Sequence, residues 1–246
     1  MDGSIGSHTA AMADPYSDAE TSGALYHSDE EVTGLFLEAT RRGLQAGVHA
    51  IGDAAIEQAI AGIEKAFLEL GPEQALRARR LRHRIEHFEC TSGEQVARAA
   101  RLGLVASVQP TFDRYWGGER GMYAARLGER AGSMNPFSHM LRAGMIVAGG
   151  SDSTVTPLDP FLGAASAAAH YHPEFAVSVE EALRMFTVWA AAAGREEELR
   201  GSIEPGKFAD FCVVTEDPRG LNPEELERLD VLETWVAGEV AWAHSA

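Results

Sequence analysis

From residue 28 onward, apolar positions alternate between helical spacing and short continuous runs. Ser28 and Glu31 form a capping box, which predicts an amphipathic helix that ends near Gly43. The apolar run that follows predicts a short strand ending at His49. Residues 1–27 are rich in Gly, Ser, Ala and Asp and have no clear period, so we expect a loop there.

The same alternation continues through the middle of the chain. It predicts further strands at about residues 82–87, 104–109 and 145–150, and helices at about 53–70, 91–102, 136–143, 160–170 and 178–193. Asp53 is the expected N-cap of the first of these helices. Capping boxes at Thr91–Glu94 and Ser178–Glu181 predict two more helix starts, and the Trp-, Tyr- and Gly-containing segment after Gln109 is expected to be irregular.

Strands that alternate with helices predict βαβ units and a parallel sheet, so the fold class is α/β. A (β/α) barrel and a doubly wound sheet both have this order of elements. We favour the barrel because three candidate metal ligands, His49, His87 and Asp152, all lie at the C-terminal ends of predicted strands. Doubly wound sheets also place their sites there, so this argument alone does not separate the two folds.

The last fifty or so residues have a different pattern. Three segments have the composition of β-strands, at residues 210–215, 231–236 and 239–242, and Ala237-Gly-Glu239 suits a hairpin turn between the last two. We therefore predict a boundary near Arg195–Gly201. It separates a domain at residues 1–197 from a small β unit at residues 198–246.

Composition excludes several classes of protein. The 246-residue chain has a net charge of −16, which disfavours nucleic acid and anionic membrane surfaces as partners. No apolar run is long enough to span a bilayer, and the N-terminal residues lack the regions of a signal peptide. Cys90 and Cys212 are far apart and have no metal-type spacing, so we expect a cytoplasmic protein without disulfides.

Three potential metal ligands end three of the predicted strands: His49, His87 and Asp152. Two imidazoles and one carboxylate suit a divalent cation such as zinc. Alternate residues of a strand share a face, so His49 lies with Gln45 on a polar face that could line a barrel. The histidines would hold the metal as neutral ligands, and Asp152 would take a proton from the attacking water and deliver it to the leaving group.

Three other residues are candidates for substrate binding. Gln109 and Trp116 lie at or just after the end of the third strand, where a pocket would open. His83 shares a strand face with His87 and is an alternative reactive histidine. In contrast, the His170-Tyr-His172 segment precedes Pro173 at a helix end, so we expect it to be surface.

Several motifs resemble the amidohydrolase superfamily. They are Val48-His49-Ala-Ile-Gly-Asp53, Arg84-Ile-Glu-His87, and Gly150-Ser-Asp152 followed by Pro157-Leu-Asp-Pro160. The closest resemblance is to the YtcJ-like, N-substituted formamide deformylase-like branch, to which residues 2–10 and 201–210 are also similar. The resemblance extends from end to end of the chain.

This resemblance implies a metal-dependent (β/α)₈ barrel with a composite β-sandwich, which hydrolyses amides and related C–N bonds of small molecules. It makes His49 and His87 the metal histidines of barrel strands five and six. Asp152 becomes the strand-eight aspartate, both ligand and general base. The chain would then hold barrel strands five to eight and a C-terminal piece of the sandwich.

The chain departs from the family pattern at its start. Family members begin with sandwich strands, carry a His-x-His pair on barrel strand one and a lysine on strand four, and none of these is present here. The chain therefore resembles the C-terminal half of such an enzyme. Two alternatives remain: a non-catalytic or subunit-type protein that needs self-association or a separate N-terminal half, and a different metal hydrolase that uses only His49, His87 and Asp152.

Overall fold

The computed structural model describes residues 1–244, and its centre is a parallel sheet. The sheet contains β1 (Gly47–Ala50), β2 (Arg84–His87), β3 (Val105–Val108) and β4 (Ile146–Gly149), in the spatial order β1-β2-β3-β4. All three strand pairs are parallel. This confirms the predicted α/β class with a parallel sheet, because consecutive parallel strands require the helical crossovers that the sequence pattern predicted.

Helices connect and cover these strands. Within residues 1–244 the α-helices are α1 (Asp29–Arg41), α2 (Asp53–Leu70), α3 (Pro72–Ala78), α4 (Gly93–Leu102), α5 (Pro110–Trp116), α6 (Met122–Leu127), α7 (Phe137–Arg142), α8 (Pro160–Ala168), α9 (Val179–Met185), α10 (Val188–Ala193) and α11 (Pro223–Glu227). No helix in this part of the chain combines the length and apolar character needed to cross a membrane.

One row of apolar side chains crosses the sheet and forms the centre of the core. Val48, Ile85, Ala106 and Val147 are in register on adjacent strands and all are buried. The alternate positions face the other side of the sheet, where His49 is in register with Glu86. The strands therefore have one apolar face and a second face on which the polar residues His49 and Glu86 lie beside buried Val105 and Ala148.

Most predicted helix starts are confirmed, and two are shifted by one residue. The capping boxes that open α1 and α9 are present at Ser28 and Ser178. The third box is formed by Ser92 with Gln95, one residue later than predicted. The prediction that Asp53 is an N-cap is wrong, because Gly52 occupies that position and Asp53 is the first helical residue of α2.

Two segments differ from the prediction. The residues after Gln109, expected to be irregular, contain α5 and α6, since Pro110 begins a helix and the Gly residues interrupt rather than prevent helical structure. The predicted helix at 178–193 is two helices, α9 and α10, separated at Phe186–Thr187.

Residues 1–27 form no helix or strand, as predicted, and part of this loop is buried. Asp2, Ile5 and Met12 are buried in this segment. The N-terminal amine of Met1 donates to the carbonyl of His49 at 2.8 Å, so the segment begins against β1. It therefore covers the C-terminal end of the parallel sheet.

A second sheet follows near the C-terminus. It contains β5 (Phe211–Val214), β6 (Val231–Val236) and β7 (Glu239–Ala243), which pair in antiparallel order. Ala237 and Gly238 both have positive φ, at 52° and 83°, as the central residues of a tight hairpin turn do. The three predicted β segments are thus confirmed.

Candidate active site

The structure brings two of the predicted ligands together. The ring centroids of His49 and His87 are 4.5 Å apart, with 68° between the ring planes. Both residues line a cavity of about 560 Å³ at the C-terminal ends of the parallel strands, and Asp152 lines the same cavity. The three residues that end β1, β2 and the β4 run therefore share one space, as expected for residues at the same rim of a parallel sheet.

The backbone at the end of β2 accounts for the position of His87. Strict alternation would place His87 on the buried face with Ile85, opposite to His49. Instead, His87 and Phe88 have positive φ, at 76° and 53°, which ends the extended conformation and places the His87 ring beside His49. Asp152 also has a positive φ, of 50°. Each such non-glycine residue costs about 1 kcal/mol or more, and this kind of strain is common in functional sites.

His49 is held by the N-terminal segment. Its Nε2 lies 2.9 Å from the carbonyl oxygen of Gly3 and 3.4 Å from Oδ1 of Asp2. The Asp2 carboxylate raises the pKa of His49, and the Gly3 carbonyl contributes in the same direction against the effect of burial. Since Nε2 donates to these oxygens, Nδ1 is the ring nitrogen that has no hydrogen-bond partner within residues 1–244.

His87 is more deeply buried and has a neutral partner. Its Nδ1 lies 2.8 Å from Oε1 of Gln109. Burial lowers the pKa of His87, and the nearby charge of His49 lowers it further. The neutral imidazole that donates from Nδ1 to Gln109 leaves the lone pair of Nε2 available, which is the arrangement of metal-binding histidines.

The donor set fits part of a metal site. Each imidazole has one nitrogen bonded to a protein oxygen and one nitrogen without a partner, as a ligand to a divalent cation requires. Among residues 1–244, however, no group of three or more His, Cys, Asp or Glu side chains is positioned to hold a metal ion. Asp152 shares the cavity with the two histidines without completing such a cluster.

The other walls of the cavity are mainly apolar and aromatic. Phe112 packs on Trp116 with ring centroids 4.6 Å apart, and Ile5, Ile51 and Met122 complete this surface. The predicted substrate residue Trp116 is therefore in the wall of the cavity. A larger cavity of about 660 Å³ contains neither His49 nor His87, so chemistry rather than volume identifies the site.

Two acidic residues of the site were not predicted. Glu89 is buried in the cavity wall and accepts a hydrogen bond from the hydroxyl of Tyr123 at 2.6 Å, and burial raises the pKa of Glu89 to about 7. Asp2 is also buried and accepts from the backbone N–H groups of Ala11, Ile51 and Gly52. In the sequence, Glu89 is a single charged residue in the run Phe-Glu-Cys after His87, and this was the available indication that it is buried.

The structure does not bring His83 to the cavity. Its Nδ1 accepts from the backbone N–H of Ala46 at 3.0 Å, its Nε2 lies 3.0 Å from Oγ1 of Thr40, and its ring packs against Phe36. His83 lies before β2, where the left-handed backbone of Arg82 precedes it. The structure therefore places His83, a predicted substrate residue, away from the cavity, where it joins α1 to the sheet.

The structure buries two further candidate residues, which corrects the expectation for His170. Gln109, predicted to bind substrate, is buried and directs its amide oxygen to His87, so its contact is with a candidate ligand. His170, predicted to be surface, is buried, and its Nε2 lies 3.5 Å from Oδ1 of Asp113. The ring of Phe137 packs against His170, and this tertiary contact was not visible in the local pattern.

Comparison with known sequences places the chain in a family. A sequence model of the amidohydrolase family matches residues 1–241. YtcJ of Bacillus subtilis (strain 168), which is named as an amidohydrolase, is 32% identical over 260 residues, covering 99% of this chain and 46% of that protein. N-substituted formamide deformylase of Arthrobacter pascens is 32% identical over 224 residues, covering 88% of this chain and 40% of that protein. The chain thus spans less than half the length of these two relatives.

Solved structures agree with this assignment. An uncharacterised metal-dependent hydrolase from Pyrococcus furiosus is 29% identical with a TM-score of 0.75, and the match covers 89% of this chain and 43% of that one. A second such hydrolase, from Pyrococcus horikoshii OT3, is 27% identical with a TM-score of 0.76, covering 91% of this chain and 44% of that one. With a family match along nearly its whole length and similar folds among metal-dependent hydrolases, the chain belongs to the amidohydrolase family.

Proposed function

We propose that this chain carries part of the active site of a metal-dependent hydrolase that cleaves amide and other non-peptide C–N bonds of small molecules. The observation that supports this most strongly is the His49–His87 pair, with ring centroids 4.5 Å apart in a cavity that Asp152 also lines. Each ring retains one nitrogen without a partner inside residues 1–244, so the pair can bind a cation without losing an existing hydrogen bond.

The roles of the three residues follow from their chemistry. A bound divalent metal, for which two imidazoles favour zinc, would lower the pKa of water and polarise a substrate carbonyl. His49 would bind through Nδ1 and His87 through Nε2. Asp152 is the acidic residue that would accept a proton from the attacking water and return it to the leaving nitrogen. Asp2 and Gln109 would keep the two rings oriented.

The proposal extends to the arrangement of the chain. β1 to β4 would correspond to strands five to eight of an eight-stranded barrel, and residues 198–246 to a piece of a β-sandwich beside the barrel part at 1–197. The His-x-His pair and the lysine that the family resemblance implies would supply the remaining ligands. The two relatives are more than twice as long as this chain, and such groups would belong to the part of their length that the chain does not span.

Metal titration tests this proposal directly. Zinc binding to the full chain is measured by calorimetry for the unchanged protein, His49→Ala, His87→Ala and the exposed control His27→Ala. We expect each cavity variant to lower the affinity of the strongest site at least about tenfold, since each removes a ligand. The His27→Ala control should bind as the unchanged protein does. Equal zinc affinity in all four proteins would contradict the proposal.

A second candidate function is favoured by the incomplete ligand set within residues 1–244. The chain would then be a subunit that becomes active only when a second copy or a separate N-terminal half completes the barrel. β1 and β4 are the two edges of the described parallel sheet, so each could pair with a further strand. Light scattering tests this: a monomeric chain that hydrolyses amides with added zinc would exclude the subunit function.

A further inference from the structure

A buried carboxyl group lies in the cavity wall outside the candidate ligand set. Glu89 follows His87 by two residues, is 3% exposed, and shares the cavity with His49, His87 and Asp152. Its backbone carbonyl accepts a hydrogen bond from the N–H of Asn135 at 3.0 Å, and this bond holds the main chain at Glu89 in place. Glu89 is therefore a fixed polar group at the place where a substrate would bind.

Only one oxygen of this carboxyl group has a partner in the described chain. Oε2 accepts from the hydroxyl of Tyr123 at 2.6 Å. Oε1 has no hydrogen-bond partner within residues 1–244, and Glu89 lines the cavity while only 3% of the residue is exposed. A buried acceptor without a partner gains a hydrogen bond when a ligand presents a donor.

The rest of the cavity wall indicates the kind of ligand that fits. It includes Phe112, Trp116 and Met122, and no Lys or Arg side chain of the described residues lines the cavity. Trp116 and Tyr123 have ring centroids 6.3 Å apart, so the hydroxyl that holds Glu89 is itself next to an aromatic surface. The site thus offers one hydrogen-bond acceptor within an apolar, aromatic pocket.

We propose that Glu89, held in place by Tyr123, is a specificity-determining residue that accepts a hydrogen bond from an N–H group of the substrate. The favoured class is primary and secondary amides with an apolar or aromatic substituent, and tertiary amides and substrates with an anionic substituent are disfavoured. This inference rests on the proposed amide-hydrolysing function of the same cavity. Tyr123 acts as a positioning residue, because it contacts the carboxyl group and restricts its rotation.

A binding experiment with a matched pair of amides tests the proposal without a metal. The full chain, treated with a chelator, is titrated with N-benzylacetamide, which has an N–H, and with N-benzyl-N-methylacetamide, which has none. Binding is followed by NMR of the ligands. We expect the secondary amide to bind about tenfold more tightly, the value of one hydrogen bond to an acidic group. Equal affinity for the two amides would overturn the proposal.

Variants separate recognition from a structural role of Glu89. Glu89→Leu should bind both amides equally, whereas Glu89→Gln should retain the preference, because its NH2 group can donate to the hydroxyl oxygen of Tyr123 and leave the amide oxygen for the ligand. Glu94→Leu, an exposed change on α4, is the matched control and should behave as the unchanged protein. A folded Glu89→Leu chain that still prefers the secondary amide would be contrary to the proposal.

One further measurement keeps the outcome decisive. If Glu89→Leu does not fold, magnetisation transfer from the benzyl protons to the methyl group of Met122 in the unchanged chain reports whether the ligand occupies this cavity. Transfer is expected, and its absence would exclude this binding site. The preference is measured on chelator-treated chain, because it depends on Glu89 and not on a metal. A failed zinc titration and a lost amide preference are therefore distinct results.

Discussion

Hydrogen bonds from protein oxygens decide which nitrogen of each cavity histidine is available. Asp2 and the Gly3 carbonyl engage Nε2 of His49, while the amide oxygen of Gln109 engages Nδ1 of His87. Oxygen partners of this kind select one tautomer and one ring orientation. At the scale of single residues, the site is therefore determined as much by the acceptors behind the rings as by the rings themselves.

The contact of Gln109 with His87 yields a prediction for the Gln109→Leu variant. Without the acceptor, the His87 ring loses the hydrogen bond that favours a proton on Nδ1, and the tautomer with a proton on Nε2 becomes populated. We expect zinc affinity to fall about 10- to 100-fold, the usual effect of removing a partner of a ligand histidine. Nitrogen NMR of ¹⁵N-histidine-labelled, metal-free chain should show the change of tautomer at His87. Gln109→Glu keeps an acceptor and should retain the original tautomer, and an unchanged tautomer in Gln109→Leu would contradict the prediction.

The positions of the strand-end residues could be predicted from the sequence only in part. His49, His87 and Asp152 were identified because each ends an apolar run, and the structure places all three around one cavity. Alternation alone would have put His87 on the opposite face, since it cannot anticipate a positive φ. Glu89 was missed for a related reason: its burial depends on contact with Tyr123, which is 34 residues away.

At the scale of elements, His83 connects α1 to the parallel sheet. It lies 3.0 Å from Thr40 on α1 and accepts from the backbone of Ala46, just before β1. Phe36 of α1 and Phe67 of α2 surround the ring. A histidine in this position must remain neutral, because protonation would remove the acceptor for Ala46 and place a charge among apolar groups.

His83 therefore gives the fold a predictable dependence on pH. Burial lowers the pKa of His83 from 6.5 to about 4, so the unfolded chain binds the proton more readily than the folded one between these values. His83 therefore contributes up to about 3 kcal/mol to the free energy of unfolding above pH 6.5, and this contribution is lost as the pH falls towards 4. Urea unfolding at a series of pH values should show a flatter dependence for His83→Asn, whose side-chain oxygen can still accept from Ala46.

The exposed His27 provides the control for this measurement. His27→Asn should leave the pH dependence of the unfolding free energy as in the unchanged protein, because His27 is exposed to solvent. Parallel curves for the unchanged chain and His83→Asn between pH 4 and 6.5 would show that His83 is not the group responsible.

Elements with strong local signals could be predicted, and those decided by tertiary packing could not. Ser28 and Ser178 begin α1 and α9 as expected because a capping box is a local set of hydrogen bonds. The break between α9 and α10 occurs at Phe186, whose ring contacts the positions where Gly149 and Gly163 lack a side chain. Such a contact joins distant parts of the chain, so no window of neighbouring residues contains it.

At the scale of the whole molecule, residues on both sides of the proposed boundary at residue 198 pack in one hydrophobic core. Leu226 on α11 is fully buried and belongs to the same apolar cluster as Ile85 and Val147 of the parallel sheet. α11 packs against α8, which lies before the boundary. The C-terminal segment therefore contributes to the core beside the parallel sheet, while all five residues of β7 remain exposed.

This shared core predicts that Leu226→Ala weakens both sides of the boundary. The lost burial and the resulting cavity should lower the free energy of unfolding by about 2–4 kcal/mol. Hydrogen exchange followed by mass spectrometry should then show reduced protection in β2 and β3 as well as in β5 and β6. Val236→Ala, at a position that is 52% exposed in β6, is the matched control and should change the free energy by less than about 0.5 kcal/mol. Loss of protection restricted to residues after 198 would instead indicate that the C-terminal segment unfolds as a separate unit.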